Sequence, residues 1–172
     1  VDGRKVYLRH ISEDVSLGKL ELMYNAHTLV FTALREFVKS KSNRLFFIIG
    51  NHDHDLFFKG VQKKIKDYIG SRRRNIYFKM QYHQHGVYAE HGQQFDFLNK
   101  INPKRPFLMF KGRKILNIPW ISLGLTSRFM SIKEEHPFME RIKPLPVVFS
   151  HNRTIVKKIN WRGFYYLLKC IF

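Results

Sequence analysis

Five residues that can coordinate a metal ion or transfer a proton follow one another directly after an apolar segment. The segment is LFFIIG, residues 45–50, and the polar residues are Asn51, His52, Asp53, His54 and Asp55. Carboxamide and carboxylate oxygens and neutral imidazole nitrogens are donors that hard and borderline divalent cations accept. Imidazole is also the side chain whose ordinary pKa lies nearest to neutral pH. The segment therefore indicates a metal site, a proton-transfer site, or both.

A second polar cluster, EHGQQFD at residues 90–96, lies further along the chain. It follows VYAE, residues 87–90, which is predicted to be a short strand, so His91 stands at a strand end as Asn51 does. In open α/β sheets the loops at the carboxyl ends of the strands form the ligand crevice, because side chains from neighbouring strand ends converge there. We therefore expect Asn51, His52 and His91 to lie close together.

The segments around these clusters alternate between helical and extended patterns, which is typical of an α/β fold. Apolar residues at helical spacing predict an amphipathic helix over residues 18–40, with Ser16 available as its cap. LFFII at 45–49 predicts a strand that is buried on both faces. NIYFK at 75–79 predicts another short strand.

A second helix is predicted between those two strands. Its apolar residues from Phe57 to Ile69 share one side, Asp55 is available as its N-cap, and Gly70 is a plausible stop. After residue 99, prolines break the chain into short pieces until a helical pattern begins near residue 152. The fold class expected from the residues alone is therefore α/β.

The two polar clusters resemble motifs of the calcineurin-like metallophosphoesterase superfamily. GNHD at 50–53 is similar to its Gly-Asn-His-Asp/Glu block, and EHGQQFD is similar to its later His block. The spacing is typical of a branch whose fourth block is His-Gly, which includes UDP-diacylglucosamine pyrophosphohydrolases. The resemblance implies a four-layer αββα sandwich and hydrolysis of phosphomonoesters, phosphodiesters or pyrophosphates by a metal-activated water. It also implies two divalent metal ions, with Mn, Fe or Zn expected.

The resemblance assigns roles to the residues of both clusters. It implies that Asn51 and His91 are ligands of one metal ion. It implies that His52 faces the phosphate or the leaving group and that Asp53 orients His52.

Three neighbouring residues receive weaker interpretations. His54 is a candidate substrate contact, and the alternative is a loop histidine that helps to cap the following helix. Gln94 and Asp96 are candidates to support His91 through hydrogen bonds, as residues around a metal ligand often do.

Other blocks of the family pattern are missing. Neither Asp-x-His nor Gly-Asp precedes residue 50, and no Gly-His-x-His follows the second cluster. We therefore expect the chain to be an internal part of a longer enzyme and to be inactive by itself. Residues 1–100 are predicted to form a partial metallophosphoesterase core. Residues 101–172 are predicted to form a mostly helical insertion or cap, because 122–145 resemble a helical insertion found in members of the family.

The chain is strongly basic, with 31 Lys and Arg against 13 Asp and Glu and a formal net charge of +18. This balance favours polyanionic partners: a phosphorylated small-molecule or lipid-linked substrate, nucleic acid, or an anionic membrane surface. Basic residues are densest over 59–79, which a solvated helix face also explains. A non-catalytic basic module that binds nucleic acid or an anionic membrane is therefore the alternative function.

Cysteine usage bears on the compartment and on the kind of metal site. Cys170 is the single cysteine, so a disulfide within the chain and a cysteine-rich zinc site are excluded. A reducing compartment fits this usage, and we expect a cytoplasmic location, with peripheral contact at the inner membrane face as an open alternative. No oligomeric state is predicted.

Two further segments have alternative interpretations. His83 and His85 would lie on one face of a strand and could chelate a metal, but a polar turn explains them equally well. Residues 152–172 could form a basic amphipathic element on an anionic membrane, although a helix that docks on the sheet is the favoured interpretation.

Overall fold

A computed structural model describes residues 10–70, 75–119, 122 and 157. The chain divides into two units, one spanning His10–Trp120 and the other combining Val1–Arg9 with Ile121–Phe172. All elements described below belong to the unit His10–Trp120.

Helices and strands alternate in the first part of this unit, and β-hairpins follow. In chain order the elements are α1 (Glu13–Ala26), α2 (Thr28–Phe37), β1 (Leu45–Ile48), α3 (Lys59–Ile69), β2 (Ile76–Lys79), β3 (Gln81–Gln84), β4 (Val87–Glu90), β5 (Phe107–Phe110) and β6 (Arg113–Leu116). Short 3₁₀ turns follow β1 at His54–Phe57 and β4 at Gln93–Phe95. The fold is mixed α/β, as the sequence predicts.

The single helix expected over residues 18–40 is in fact two helices. Ser12, not Ser16, stands at the N-cap of α1, and Glu13 and Asp14 occupy its first turn, where acidic groups interact favourably with the helix dipole. The backbone leaves helical values at His27, with φ −131° and ψ 39°. Helices α1 and α2 both contact α3.

The N-terminus of α3 receives its hydrogen-bonding partner from α1. Phe58 stands at the N-cap position, so the expectation that Asp55 caps this helix is wrong. The Gly60 amide donates to Glu13 Oε1 at 2.6 Å, which satisfies one of the amides left unpaired at a helix start. Gly70 ends α3 as predicted, with φ 123° and its amide bonded to the Lys66 carbonyl.

Strands β1 and β2 are parallel neighbours joined by α3, with Leu45 opposite Ile76 and Ile48 opposite Lys79. All four residues of β1 are only half-buried, so the prediction of a strand buried on both faces is wrong. The physical reason is that, among the described residues, β1 pairs with β2 alone. Burial becomes complete just after the strand, at Ile49 and Gly50.

The hydrophobic core lies between the three helices and this strand pair. Its buried members are Leu20, Phe31, Val38, Phe58, Val61, Ile65, Ile69, Ile76 and Leu116. Because Leu116 belongs to β6, the hairpin that contains it is fixed to the same core.

Two hairpins of the same design follow, β3–β4 and β5–β6, each with two residues at positive φ between its strands. The first turn is His85–Gly86 and the second is Lys111–Gly112. Positive φ at both central residues matches the twist of the flanking strands. His83 lies in β3 and His85 in the turn, so the two histidines do not share a strand face.

Residues 107–116 are therefore strands within the unit that ends at Trp120. Apart from the single residues 122 and 157, the helical insertion expected over 122–145 and the helix expected from residue 152 lie outside the described residues. The predicted division at residue 100 thus stays a prediction. In the part of the chain that the structure describes, no helix is both long enough and apolar enough to cross a bilayer.

Candidate active site

The structure brings the end of β1 against the loop that follows β4. A Cβ atom added to Gly50 would lie 2.3 Å from Cδ2 and 2.6 Å from Nε2 of His91. The imidazole therefore packs directly on the glycine that precedes Asn51. Only a residue without a side chain allows this approach, because real Cβ contacts are not shorter than about 3 Å.

A buried hydrogen bond holds the two segments together. Gln93 Nε2 donates to the Ile49 carbonyl at 3.2 Å, and the Gln93 side chain is 4% exposed. The hydrogen bond joins the last apolar residue of the β1 segment to the 3₁₀ turn after His91. Phe46 of β1 also contacts Tyr82 of β3 edge-on, at 4.7 Å between ring centroids.

Asn51 is oriented by a relay of side-chain hydrogen bonds. Its Nδ2 donates to Asn99 Oδ1 at 3.1 Å, and Asn99 Nδ2 donates to Asp96 Oδ2 at 2.6 Å. Because Nδ2 is engaged, the carboxamide oxygen is the atom that Asn51 can offer to a ligand. This is the atom that the metal-ligand interpretation requires.

Asp96 is fixed at the far end of the relay. It accepts hydrogen bonds from the Asn99 side chain and from the backbone amides of Leu98 and Asn99. These bonds, the one from Asn99 foremost, hold the pKa of the Asp96 carboxyl below its usual value. Asp96 therefore acts on Asn51 through Asn99, whereas the sequence assigned it to His91.

The other residues near His91 also have unexpected partners. Gln94 Nε2 donates to Glu90 Oε2 at 2.5 Å, so its contact is with Glu90. Gln93 and Asn99 were both missed by sequence reasoning. Their signal was weak, since one is the first of two adjacent glutamines and the other is an isolated loop asparagine.

His52 and Asp53 are both exposed and lie in the turn that leaves β1. The Asp53 amide donates to the Gly50 carbonyl at 3.1 Å, and the Leu56 amide donates to the Asp53 carbonyl at 2.9 Å. These bonds reverse the chain after Gly50 and present Asn51 and His52 at the strand end. The orienting role of Asp53 toward His52 stays a prediction.

His54 differs from His52 because its ring is buried, with 4% exposure. Its Nε2 has no hydrogen-bond partner among the described residues. Burial lowers the pKa of His54 from 6.5 to about 4, although the nearby carboxylates of Asp55 and Asp53 oppose the shift. The imidazole is therefore neutral at neutral pH, and its burial favours a structural role over substrate contact.

An apolar groove of about 510 Å³ begins beside the same turn. Side chains of α1, α2 and α3 line most of it, among them Leu20, Phe31 and Val61. Its polar lining residues include Lys19, His52, Asp53 and Asp55, and Lys19 Nζ pairs with Asp55 Oδ2 at 2.6 Å.

The donor set available for a metal ion is small in this part of the chain. Within the described residues no group of three or more His, Cys, Asp or Glu side chains is placed to hold an ion. Asn51 and His91 are one carboxamide and one imidazole, and their types suit Mn, Fe or Zn.

No protein-family model matches the chain, and neither does any curated protein or solved structure with which it was compared. The resemblance to metallophosphoesterases therefore depends on GNHD and EHGQQFD. The structure adds that these two segments are in contact.

Proposed function

We propose that the chain carries part of the active site of a metal-dependent phosphohydrolase of the calcineurin-like kind, within an αββα sandwich. The observation that supports the proposal is the packing of the His91 imidazole on Gly50, beside Asn51. Because Gly50 has no side chain, the imidazole lies against the backbone directly before Asn51.

In this proposal Asn51 and His91 bind the same divalent ion. Asn99 and Asp96 favour the arrangement, because they hold the Asn51 carboxamide by its nitrogen. A complete coordination sphere needs about four to six donors, so further ligands must come from outside the described residues. When bound, a pair of such ions lowers the pKa of a water molecule and neutralises charge on the phosphate.

His52 performs the proton transfer in this proposal. Its exposed ring follows Asn51 directly, so it lies beside the proposed ion without being needed to bind it. It donates a proton to the oxygen of the departing group, and Asp53 holds the ring in position. His54 takes no part, because its ring is buried.

The substrate class follows from charge and from the groove. The net charge of +18 attracts phosphorylated molecules. The groove beside His52 has room for an apolar portion, which favours a lipid-linked phosphate ester or pyrophosphate. A cytoplasmic enzyme with access to such substrates fits this proposal.

The test is hydrolysis of bis(p-nitrophenyl) phosphate by the longest reading frame that contains this chain, with Mn²⁺ or a chelator. We expect metal-dependent turnover, and loss of both turnover and bound metal in Asn51→Ala and His91→Ala. His83→Ala is the matched control, because this histidine lies in β3, outside the proposed site. Absence of metal-dependent turnover, or unchanged metal content in both variants, would overturn the proposal.

The 172-residue chain alone is expected to bind metal weakly and to be inactive. Robust metal-dependent turnover by this chain alone would show that the missing motif blocks are not needed.

A further inference from the structure

The β5–β6 hairpin exposes apolar side chains around its turn. Leu108 is 50% exposed, Met109 is 69% exposed and Phe110 is 39% exposed. Leu108 and Met109 are consecutive in a strand, so they point to opposite faces of the hairpin. Both faces of β5 therefore expose apolar surface near the turn.

The same hairpin carries cations and no anions. Between Phe97 and Ile118 the chain has six basic residues and no acidic ones; the basic residues are Lys100, Lys104, Arg105, Lys111, Arg113 and Lys114. Three of the six lie at the turn or next to it. The turn and the residues beside it, Leu108–Lys114, are called here the hairpin tip, and they combine exposed apolar surface with concentrated positive charge.

The aromatic faces of this hairpin already have partners. Phe110 stacks on His10, with centroids 3.9 Å apart and planes 6° apart, and Lys111 Nζ lies 5.6 Å from the Phe110 centroid. Phe107 contacts Phe58, and Lys114 Nζ lies 4.7 Å from its centroid. Non-specific binding of single-stranded nucleic acid uses free aromatic faces on which bases stack. The exposed surface at the tip is instead mainly the aliphatic surface of Leu108 and Met109.

We propose that the hairpin tip docks this chain on an anionic membrane surface. Leu108 and Met109 enter the boundary between headgroups and acyl chains, and Lys111, Arg113 and Lys114 contact lipid phosphates. Apolar side chains surrounded by Lys and Arg are the combination that peripheral membrane contacts use. Each basic residue near an anionic leaflet strengthens binding by about fivefold.

The β3–β4 hairpin also exposes apolar side chains but has no Lys or Arg between Gln81 and Glu90. β3–β4 has strands of the same length and the same kind of turn, but its turn residue is His85 where the tip has Lys111. Val87 and Tyr88 are exposed in this hairpin, and the Tyr88 hydroxyl donates a hydrogen bond to the Glu90 carboxylate at 2.6 Å. The β3–β4 hairpin is therefore a control for apolar exposure without concentrated positive charge.

The experiment is co-sedimentation of the chain with vesicles of phosphatidylcholine, with and without phosphatidylserine. We expect binding to the anionic vesicles that weakens with salt. The triple variant Lys111→Gln, Arg113→Gln, Lys114→Gln should weaken it on the order of 100-fold. The variant Leu108→Ser, Met109→Ser should weaken it by about tenfold or more.

Two controls keep the proposal specific. Lys59→Gln, Lys63→Gln, Lys64→Gln removes three exposed charges from α3, and Val87→Ser, Tyr88→Ser changes the other hairpin; both should bind like the unchanged chain. The circular dichroism melting curve of each variant establishes that it is folded. An equal loss of vesicle binding in the α3 variant and the tip variant would overturn the proposal. Equally strong binding to vesicles that contain no phosphatidylserine would also overturn it. Tip-dependent binding of single-stranded DNA in place of vesicles would overturn it as well.

Discussion

His52 and His54 stand two residues apart in one turn, and the fold gives them opposite environments. The His52 side chain is exposed at the end of β1, next to Asn51. The His54 ring is buried, its pKa is lowered to about 4, and its Nε2 has no partner among the described residues. One histidine is accessible to solvent, and the other is held neutral inside the fold.

The difference arises from where the chain turns. Hydrogen bonds to the Gly50 and Asp53 carbonyls close the turn after β1, and the 3₁₀ turn then directs His54 inward. Asp53 and Asp55 flank His54 and oppose its loss of charge, but burial has the larger effect. The chemistry available to a histidine therefore depends on backbone direction, which residue type does not reveal.

The largest expected effect separates the two histidines by activity. His52→Ala should lower kcat by about 10²- to 10⁴-fold, the scale of general acid catalysis, with metal content near that of the unchanged enzyme. The loss should be smaller for nitrophenyl than for alkyl esters, because nitrophenolate departs with little help. His54→Phe should change kcat much less. Metal content and kcat for both variants on both esters are the measurements.

Two outcomes would contradict the assignment. Loss of metal from His52→Ala would make His52 a ligand. An equal rate loss on both esters would remove the proton-donor role.

The second prediction uses the stability of the fold. The folded pKa of His54 is about 4 and the ordinary value is 6.5, so the unfolded chain binds more protons as the pH falls between these values. Burial of neutral His54 therefore does not lower the free energy of unfolding above pH 6.5, but it lowers it progressively as the pH falls from 6.5 toward 4. The loss is at most about 3 to 4 kcal/mol, from about 1.4 kcal/mol per pKa unit. His54→Phe should remove this part of the acid sensitivity.

Urea unfolding at several pH values measures this effect. His52→Gln is the matched control, and because that side chain is exposed, we expect the free energy of unfolding to change by less than about 0.5 kcal/mol. Identical pH profiles for the unchanged chain and His54→Phe would show that burial of His54 does not contribute.

The contrast between His52 and His54 also shows which features of the fold can be predicted from the sequence. Strands at 76–79 and 87–90 and the stop at Gly70 follow from local patterns. The His91 ring packs on Gly50, but among the described residues β4 pairs with β3, in a sheet separate from that of β1. The expected meeting of neighbouring strand ends in one sheet is therefore not what brings the two polar clusters together. The break at His27 and the cap that Glu13 provides to α3 depend on contacts between distant elements. The relay from Asp96 through Asn99 to Asn51 requires three side chains to meet in space. Their spacing in the sequence does not predict that arrangement.

The third prediction tests this relay. Asn99→Ala leaves the Asn51 carboxamide without its partner, so metal affinity should fall by about 10- to 100-fold, the usual scale for residues that orient a ligand. Asn102→Ala is the control, because Asn102 is also a loop asparagine, bonded instead to the Lys104 amide.

A further comparison separates Asn99 from His52. Calorimetric titration with Mn²⁺ measures the metal affinity of Asn99→Ala. The ratio of its kcat values on nitrophenyl and alkyl esters should equal that of the unchanged enzyme, because His52 is not altered. A changed leaving-group dependence in Asn99→Ala would mean that the relay acts on proton transfer.

The smallest expected effect concerns Asp55 and Lys19, two of the charges that act on His54. Asp55 raises the pKa of His54 and Lys19 lowers it, while the two form an ion pair with each other. Asp55→Asn should therefore lower the His54 pKa below about 4, and Lys19→Met should raise it toward 6.5. The ion pair itself is partly exposed, so its loss should cost less than about 1 kcal/mol in either variant. NMR titration of the His54 ring proton measures the pKa directly. Opposite shifts would place both charges in the environment of His54. Shifts of the same sign would mean that the substitutions act by opening the turn to water, and the contrast between His52 and His54 would then depend on packing alone.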